Sequence, residues 1–321
     1  MAGQLWAVNS LGGFFYSDKL SKNLRVALQP LTKFRQFCDV RDETSSGKGK
    51  GDTYKWDCVF NLQTQGGTLV ETNTMPETNF KIAQASASLY EWGNSIPWTG
   101  KLEALSQFSV RSAVEESLTN DTAKVLDSAA YTEFNKCQLR VVPKGSTSAS
   151  AITLTTDSVA GSSNGVALGK QHVRLIAETM QERTIPYYDK SNYVCITRPT
   201  TLSTVKVDLE TINSYVVEGY QKIMSGEVGK FENVRFVLQT NVASGGWANA
   251  LSDWAFFFGK ETACEGICEP EHVRAKIPDD YGRSKGLAWY AILGFGITHN
   301  WAAAVDTGAA NGRILKWDSA G

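Results

Sequence analysis

The chain has 321 residues, 42% hydrophobic and 20% charged, with 32 basic and 33 acidic side chains and a formal net charge of −1. That length suits two domains or one elaborated domain, and the composition supports a real core and excludes global disorder. Near-neutrality excludes an overall electrostatic pull on nucleic acid or an anionic membrane. Nine Trp and 14 Phe supply large aromatics for cores and interfaces alike. Three histidines, His172, His272 and His299, leave few candidates for acid–base or metal chemistry. The six cysteines are scattered and the N-terminus lacks a signal-peptide pattern, so unpaired thiols in a reducing setting are expected.

Met1 to Thr44 reads as an irregular arm, with Leu20, Leu24, Leu28, Leu31 and Phe34 near helical spacing and Pro30 interrupting. Ser45 to Gly51 is a polar Gly/Lys hinge without phosphate-loop spacing. From Thr53 to Leu62 the chain alternates: Tyr54, Trp56, Cys58, Phe60 and Leu62 share one face, Lys55, Asp57 and Asn61 the other. A turn at Gln65 to Thr68 and a second strand from Phe80 through Trp92 complete an extended hairpin. Such a two-stranded ribbon is marginal alone and asks for a neighbour.

A single helix is then predicted from Lys101, capped by Thr99, with no Gly or Pro until Pro143. Val110, Val114, Leu118, Thr122, Val125 and Ala129 form its apolar stripe, and Arg111–Glu115 and Asp121–Lys124 are its ion pairs. About 35 residues at ~1.5 Å rise would make a rod on the order of 50 Å long. Helices are further predicted over 171–183 and 209–224, and strands over 151–154, 193–196, 233–240, 253–258 and 287–297. The apolar stretch Gly286 to Val305 is broken by Gly294, Gly296 and Thr298-His299-Asn300, which favours buried strands over a membrane span. The sum is α+β with no βαβ repeat.

Gly51-Asp52-Thr53, Thr68 to Thr72 and Met75-Pro76-Glu77-Thr78 resemble the extended loop of tailed-phage major capsid proteins. Tyr90 to Leu102 resembles that loop's exit into the spine helix. Ile185-Pro186-Tyr187, Tyr193 to Ile196, Gly226 to Gly229, Arg235-Phe236, Phe258-Gly259 and Trp289-Tyr290-Ala291 follow in the same order. The nearest likeness is to the N-four-like podovirus capsid subgroup. The resemblance implies the Hong Kong 97 (Johnson) capsid fold: an N-arm over 1–46, an E-loop hairpin over 47–98 and a peripheral domain with the spine helix over 99–184. An axial domain over 185–294 and a return to the peripheral domain over 295–321 complete it.

It further implies a virion subunit, assembled in the host cytoplasm, that forms hexamers and pentamers of an icosahedral shell. Scaffolding, portal and decoration proteins are implied partners. No scaffolding segment is evident before the arm, so a separate scaffold is expected. Packaged DNA would be held by confinement, and no cofactor, metal or membrane is implied. The expected inter-subunit contacts are Tyr54, Trp56, Phe60, Met75, Trp92 and Trp98. A non-viral encapsulin-like shell protein and a soluble α+β enzyme are the alternatives.

The chemical rivals are thin. Cys264-x3-Cys268-x3-His272 has helical ligand spacing, but a fourth zinc ligand is missing and Pro270 intervenes, so a disulfide or two unpaired thiols on a loop are expected. Tyr281 and Lys285 lack a dinucleotide fingerprint, Asp279-Asp280 reads as a solvated loop, and no G-x-S-x-G elbow occurs. Lys48, Lys50 and Lys55 beside Tyr54 and Trp56 are the one basic–aromatic cluster, read as hinge charges serving solubility.

Overall fold

The computed structural model describes residues 33–42, 52–60, 66–72, 74–158, 165–213, 230–242, 254–277, 280–301 and 310–317. Most of the N-arm, the Lys48/Lys50 hinge, Asp279 and residues 226–229 lie outside them. The strands are β1 (Asp39–Asp42), β2 (Thr53–Val59), β3 (Ile82–Ser88), β4 (Tyr90–Thr99), β5 (Leu139–Pro143), β6 (Ile152–Thr155) and β7 (Tyr193–Thr197). They continue with β8 (Lys230–Phe231), β9 (Val234–Leu238), β10 (Ala255–Phe258), β11 (Ala263–Ala275), β12 (Ser284–Ile297) and β13 (Ile314–Trp317). The helices are α1 (Gly100–Leu105), α2 (Val110–Asn135), α3 (Lys170–Glu182) and α4 (Pro199–Asn213).

The largest sheet has the order β6-β5-β13-β10-β7-β9-β8. Its middle strands β7, β10 and β13 are buried at every position. Their near-continuous apolar sequence is what strands covered on both faces require. Phe256 and Phe258 of β10 pack with α2 residues in one core, while Ala255 and Phe257 pack with α3 and α4 residues in the other. Phe34 closes the first core, its ring 5.3 Å from Phe134 and 5.5 Å edge-on to Phe256. Part of the predicted arm is therefore core: Phe34 is buried, and β1 adds a parallel edge strand to β11.

A second sheet has the order β1-β11-β12-β4, and α2 lies across β12 and β4. The 14-residue β12 is the apolar stretch considered above as a membrane span; among the described residues no helix is long and apolar enough to cross a membrane.

The predicted single rod is two helices. Thr99 caps α1 as expected, accepting from the Leu102 amide at 3.3 Å. The chain then leaves the helix because Ser106 Oγ donates to the Phe108 carbonyl at 2.7 Å and accepts from its amide at 3.2 Å. Such local bonds compete with the helical ladder. Ser109 restarts it, accepting from the Ser112 amide. The rod α2 has 26 residues and ends well before Pro143, so it spans about 39 Å. Its buried stripe is a row at spacing four: Val110, Val114, Leu118, then Leu126, Ala130 and Phe134. Thr122 sits in the gap and folds its hydroxyl back onto the Leu118 carbonyl. Val125 and Ala129 flank the row, partly buried.

The predicted strand from Phe80 through Trp92 is two strands with different partners. It breaks at Leu89: β3 pairs with β2, and β4 pairs with β12. The helix expected over 209–224 begins instead at Pro199, whose fixed φ and missing amide suit a first turn. Residues 214–224 lie outside the described part.

Candidate assembly surface

The hairpin is positioned by its inner face. Across β2 and β3, Tyr54, Trp56 and Cys58 oppose Ala87, Ala85 and Ala83 in register. The three alanines are buried, and the intervening Ile82, Gln84, Ser86 and Ser88 are exposed. Small side chains let this face sit flush on β12. The approach is so close that a methyl group on Gly294 would run into the Ser88 carbonyl, and one on Gly296 would meet Ala87 Cβ at 3.0 Å. Trp56 Nε1 donates to the Thr298 carbonyl at 3.3 Å, and the Phe60 ring lies 5.1 Å from that of Trp301.

This places the expected contact residues. Trp56 and Phe60 turn onto their own chain. Tyr54 is half-buried, its ring 5.8 Å from Trp56 and its Cβ against Gly266. Trp92 packs beside the main core and donates to the Leu293 carbonyl at 3.1 Å. Trp98 is 5% exposed and donates to Glu103 Oε2 at 3.1 Å, so its surface is spent within the subunit. Met75 is 66% exposed. The hairpin base is thus seated on its own subunit, and only the outer part stands unsupported.

That outer part carries apolar residues the alternation missed. Val59 and Ile82 are a directly opposed cross-strand pair, both exposed, and Leu69, Val70 and Phe80 are exposed beyond them. Their signal was modest: Val59 sits among Lys55 and Asp57 on a face read as polar. Tyr90, at the start of β4, is exposed as well.

Two polar clusters hold the frame behind the hairpin. Asp121 of α2 accepts from Trp289 Nε1 of β12 and Asn94 Nδ2 of β4, each at 2.9 Å, pinning the rod across the sheet in place of the expected Lys124 pair. The Arg111–Glu115 pair forms at 2.9 Å. Arg35 meets Glu265 at 2.8 Å and grips both oxygens of Glu271 at 2.8 and 3.0 Å. Burial pushes the Glu265 carboxyl up, against the pull of Arg35, whereas hydrogen bonding to Arg35 holds Glu271 down. Burial also works against the Arg35 charge, but its bonds to Glu271 and Glu265 outweigh it and hold the guanidinium firmly protonated.

The chemical rivals dissolve in the fold. Cys264, Cys268 and His272 lie on the strand β11, neither on a helix nor on a loop. At ~3.3 Å per residue, a spacing of four separates successive members by about 13 Å, too far to share one ion. No group of three metal-ligating side chains occurs among the described residues, and all six cysteines remain thiols. Pro270 is accommodated where the β11–β12 register slips. His272 Nδ1 lies 2.9 Å from the Pro270 carbonyl, and its Nε2 accepts from Arg274 at 2.6 Å. Tyr281 projects into solvent, Lys285 pairs with Glu103 at 2.8 Å, and Asp280 lies 3.6 Å from Arg283.

Neither a family model nor a curated protein matches the sequence. Solved structures match it over nearly its whole length. The capsid of cyanophage P-SCSP1u superposes with a TM-score of 0.66 at 13% identity, covering 94% of this chain and 92% of that one. The capsid of Ralstonia phage GP4 gives 0.62 at 16% identity, with 98% of each chain covered. The acid-stable capsid of Helicobacter pylori bacteriophage KHP30 gives 0.67 at 9% identity, covering 94% and 95%. The chain therefore has the α+β fold of the tailed-phage capsid structures, the Hong Kong 97 type, with α2 as its long helix.

Proposed function

We propose that this chain is the major capsid protein of a tailed double-stranded DNA phage, a structural subunit with no enzymatic role. The observation that carries this is whole-chain superposition on phage capsids, with no large segment of either chain left over. A hairpin whose outer half exposes Val59, Leu69, Val70, Met75, Phe80 and Ile82 suits the same role. Isolated apolar side chains on a thin ribbon gain little from solvent and several kcal/mol from a neighbour, at ~25 cal/mol per Å² before ordering costs.

Hexamers and pentamers form through heterologous contacts that close rings, each subunit laying its hairpin on the next. Many weak contacts allow correction during assembly and stability afterwards. Within the expected contact set, Met75 and the exposed edge of Tyr54 remain for the neighbour, joined by Phe80 and the Val59–Ile82 pair. Scaffolding, portal and decoration proteins are the other partners of this reading, and DNA is confined, not gripped, as near-neutral charge favours. The order and spacing of the motifs from Gly51 onward support the N-four-like subgroup. The partition into N-arm (1–46), E-loop (47–98), peripheral (99–184 and 295–321) and axial (185–294) parts belongs to the same reading.

Negative-stain microscopy of the expressed protein tests it. Closed shells, tubes or capsomers are expected. A compact monomer at high concentration would overturn it.

A further inference from the structure

The seat of the hairpin contains a buried imidazole that shell assembly does not explain. His299 follows β12, is 8% exposed and lies beneath Cys58 of β2, with Nδ1 3.8 Å from Cys58 Sγ. Its ring stands edge-on to Trp301 at 5.3 Å. Among the described residues its Nε2 has no hydrogen-bond partner. A cleft of about 360 Å³ opens here between β2 and the body, with His299, Cys58, Trp56 and Arg313 in its wall.

The charged and titratable neighbours of the ring carry both signs. Arg313 approaches from the segment before β13, and Glu261, before β11, is already bonded to it at 3.0 Å. Asp39 of β1, Asp57 and Cys58 of β2, and Cys264 of β11 also line the cleft. Asp57 accepts from Gln84 of β3 at 2.9 Å. Burial, then the Arg313 charge, bring His299 down from 6.5 to about 4, with Glu261 opposing.

We propose that His299 is a proton-operated latch: the β2–β3 hairpin stays seated on the body while this imidazole is neutral, and an imidazolium beneath Cys58 and Trp301 unseats it. The Nε2 atom is buried while the hairpin is seated, and Cys58, 3.8 Å from Nδ1, belongs to that hairpin, so lifting the hairpin opens the ring to water. Seating favours the neutral ring, so it is strongest above 6.5 and weakens as pH falls. If release restores the ordinary 6.5, the seating equilibrium falls about tenfold per pH unit toward 4, roughly 300-fold in all. The released ribbon, lacking its support, loses its own ladder too. The inference concerns the folded subunit alone, so failure to form shells would leave it intact.

Hydrogen exchange of the purified subunit between pH 7.5 and 4.5, corrected for intrinsic rates, tests it. Amides of residues 53–59 and 82–88 should lose protection progressively below pH 6.5, while those of β7 and β10 hold. His299→Gln and His299→Phe should abolish that pH dependence, and His172→Gln should retain it. Flat protection of the wild-type hairpin, or unchanged pH dependence in both His299 variants, would overturn the latch. So would an NMR titration placing His299 above 6 in the folded subunit.

Discussion

The Trp56 indole and the Thr298 carbonyl meet at 3.3 Å across 242 positions of sequence, and this bond marks where the extended hairpin is moored to its own subunit. As far out as Phe60 and Ala83 the inner face packs on its own subunit; beyond them, apolar side chains face solvent. The two halves of one ribbon therefore have separable roles, and substitutions in them should separate stability from assembly.

On the moored half, Gly294→Ala forces a methyl group into the Ser88 carbonyl, and neither backbone can yield without disturbing a ladder. Overpacking of this kind costs about 1–3 kcal/mol. Chemical denaturation should show that loss, with the exchange protection of residues 82–88 falling first. Unchanged stability would mean that the hairpin does not sit where it is described.

On the free half, Phe80 and Met75 are 65% and 66% exposed, so Phe80→Ser and Met75→Ser remove little packing within the subunit. Stability should stay within about 0.5 kcal/mol of wild type. Particle yield, measured by sedimentation, should fall sharply. Deleting Gly66 to Met75 should likewise leave a folded subunit that forms no stable shells. Normal particles from the deletion would remove the hairpin from the assembly mechanism.

Arg35→Met leaves Glu265 buried without its partner. Breaking a buried pair in this way costs about 3 kcal/mol near neutral pH. Because burial already pushes Glu265 up, the orphaned carboxyl protonates readily, so the penalty should shrink as pH falls toward 5. Denaturation midpoints of both proteins at pH 7.5 and 5 check this; a penalty that grows in acid would contradict the assignment.

His172 caps α3 as a neutral ring: Nδ1 accepts from the Gly169 amide at 3.1 Å, and Nε2 donates to the Ser148 carbonyl at 2.9 Å. Burial holds it below 6.5, so the unfolded chain binds the proton more readily. Its contribution is therefore complete above 6.5 and is lost as pH falls through that value toward the folded one. His172→Gln should lower stability at pH 7.5 and flatten the loss between pH 7 and 5 in urea titrations.

Chelator treatment should leave the thermal midpoint unchanged, because Cys264, Cys268 and His272 stand too far apart along β11 to share an ion. A midpoint that drops on chelation and recovers with zinc would reverse that reading.

Several elements were legible because their cause is local. The unbroken apolar runs of β7 and β10 announce strands covered on both faces. The 3.6-residue pattern of Val173, Ile176, Ala177 and Met180 yields α3 within a residue of its observed ends. The alternation Tyr54-Trp56-Cys58-Phe60 yields β2, and ordered short motifs from Gly51 to Ala291 point to the capsid fold. The break between α1 and α2 was not legible in this way. It contains no Gly or Pro, only Ser106 and Ser109 hydroxyls whose bonds to nearby backbone outcompete the ladder.

By itself the sequence determined which faces are apolar and roughly where elements lie, since period and side-chain chemistry are properties of neighbours along the chain. Only the tertiary structure decided what covers each face. Alternation shows that Trp56 and Phe60 are to be buried, but their cover, Thr298 and Trp301, arrives from more than 200 positions away. Likewise Cys264 and His272 share a motif on paper, and only an extended backbone shows that they cannot share a ligand.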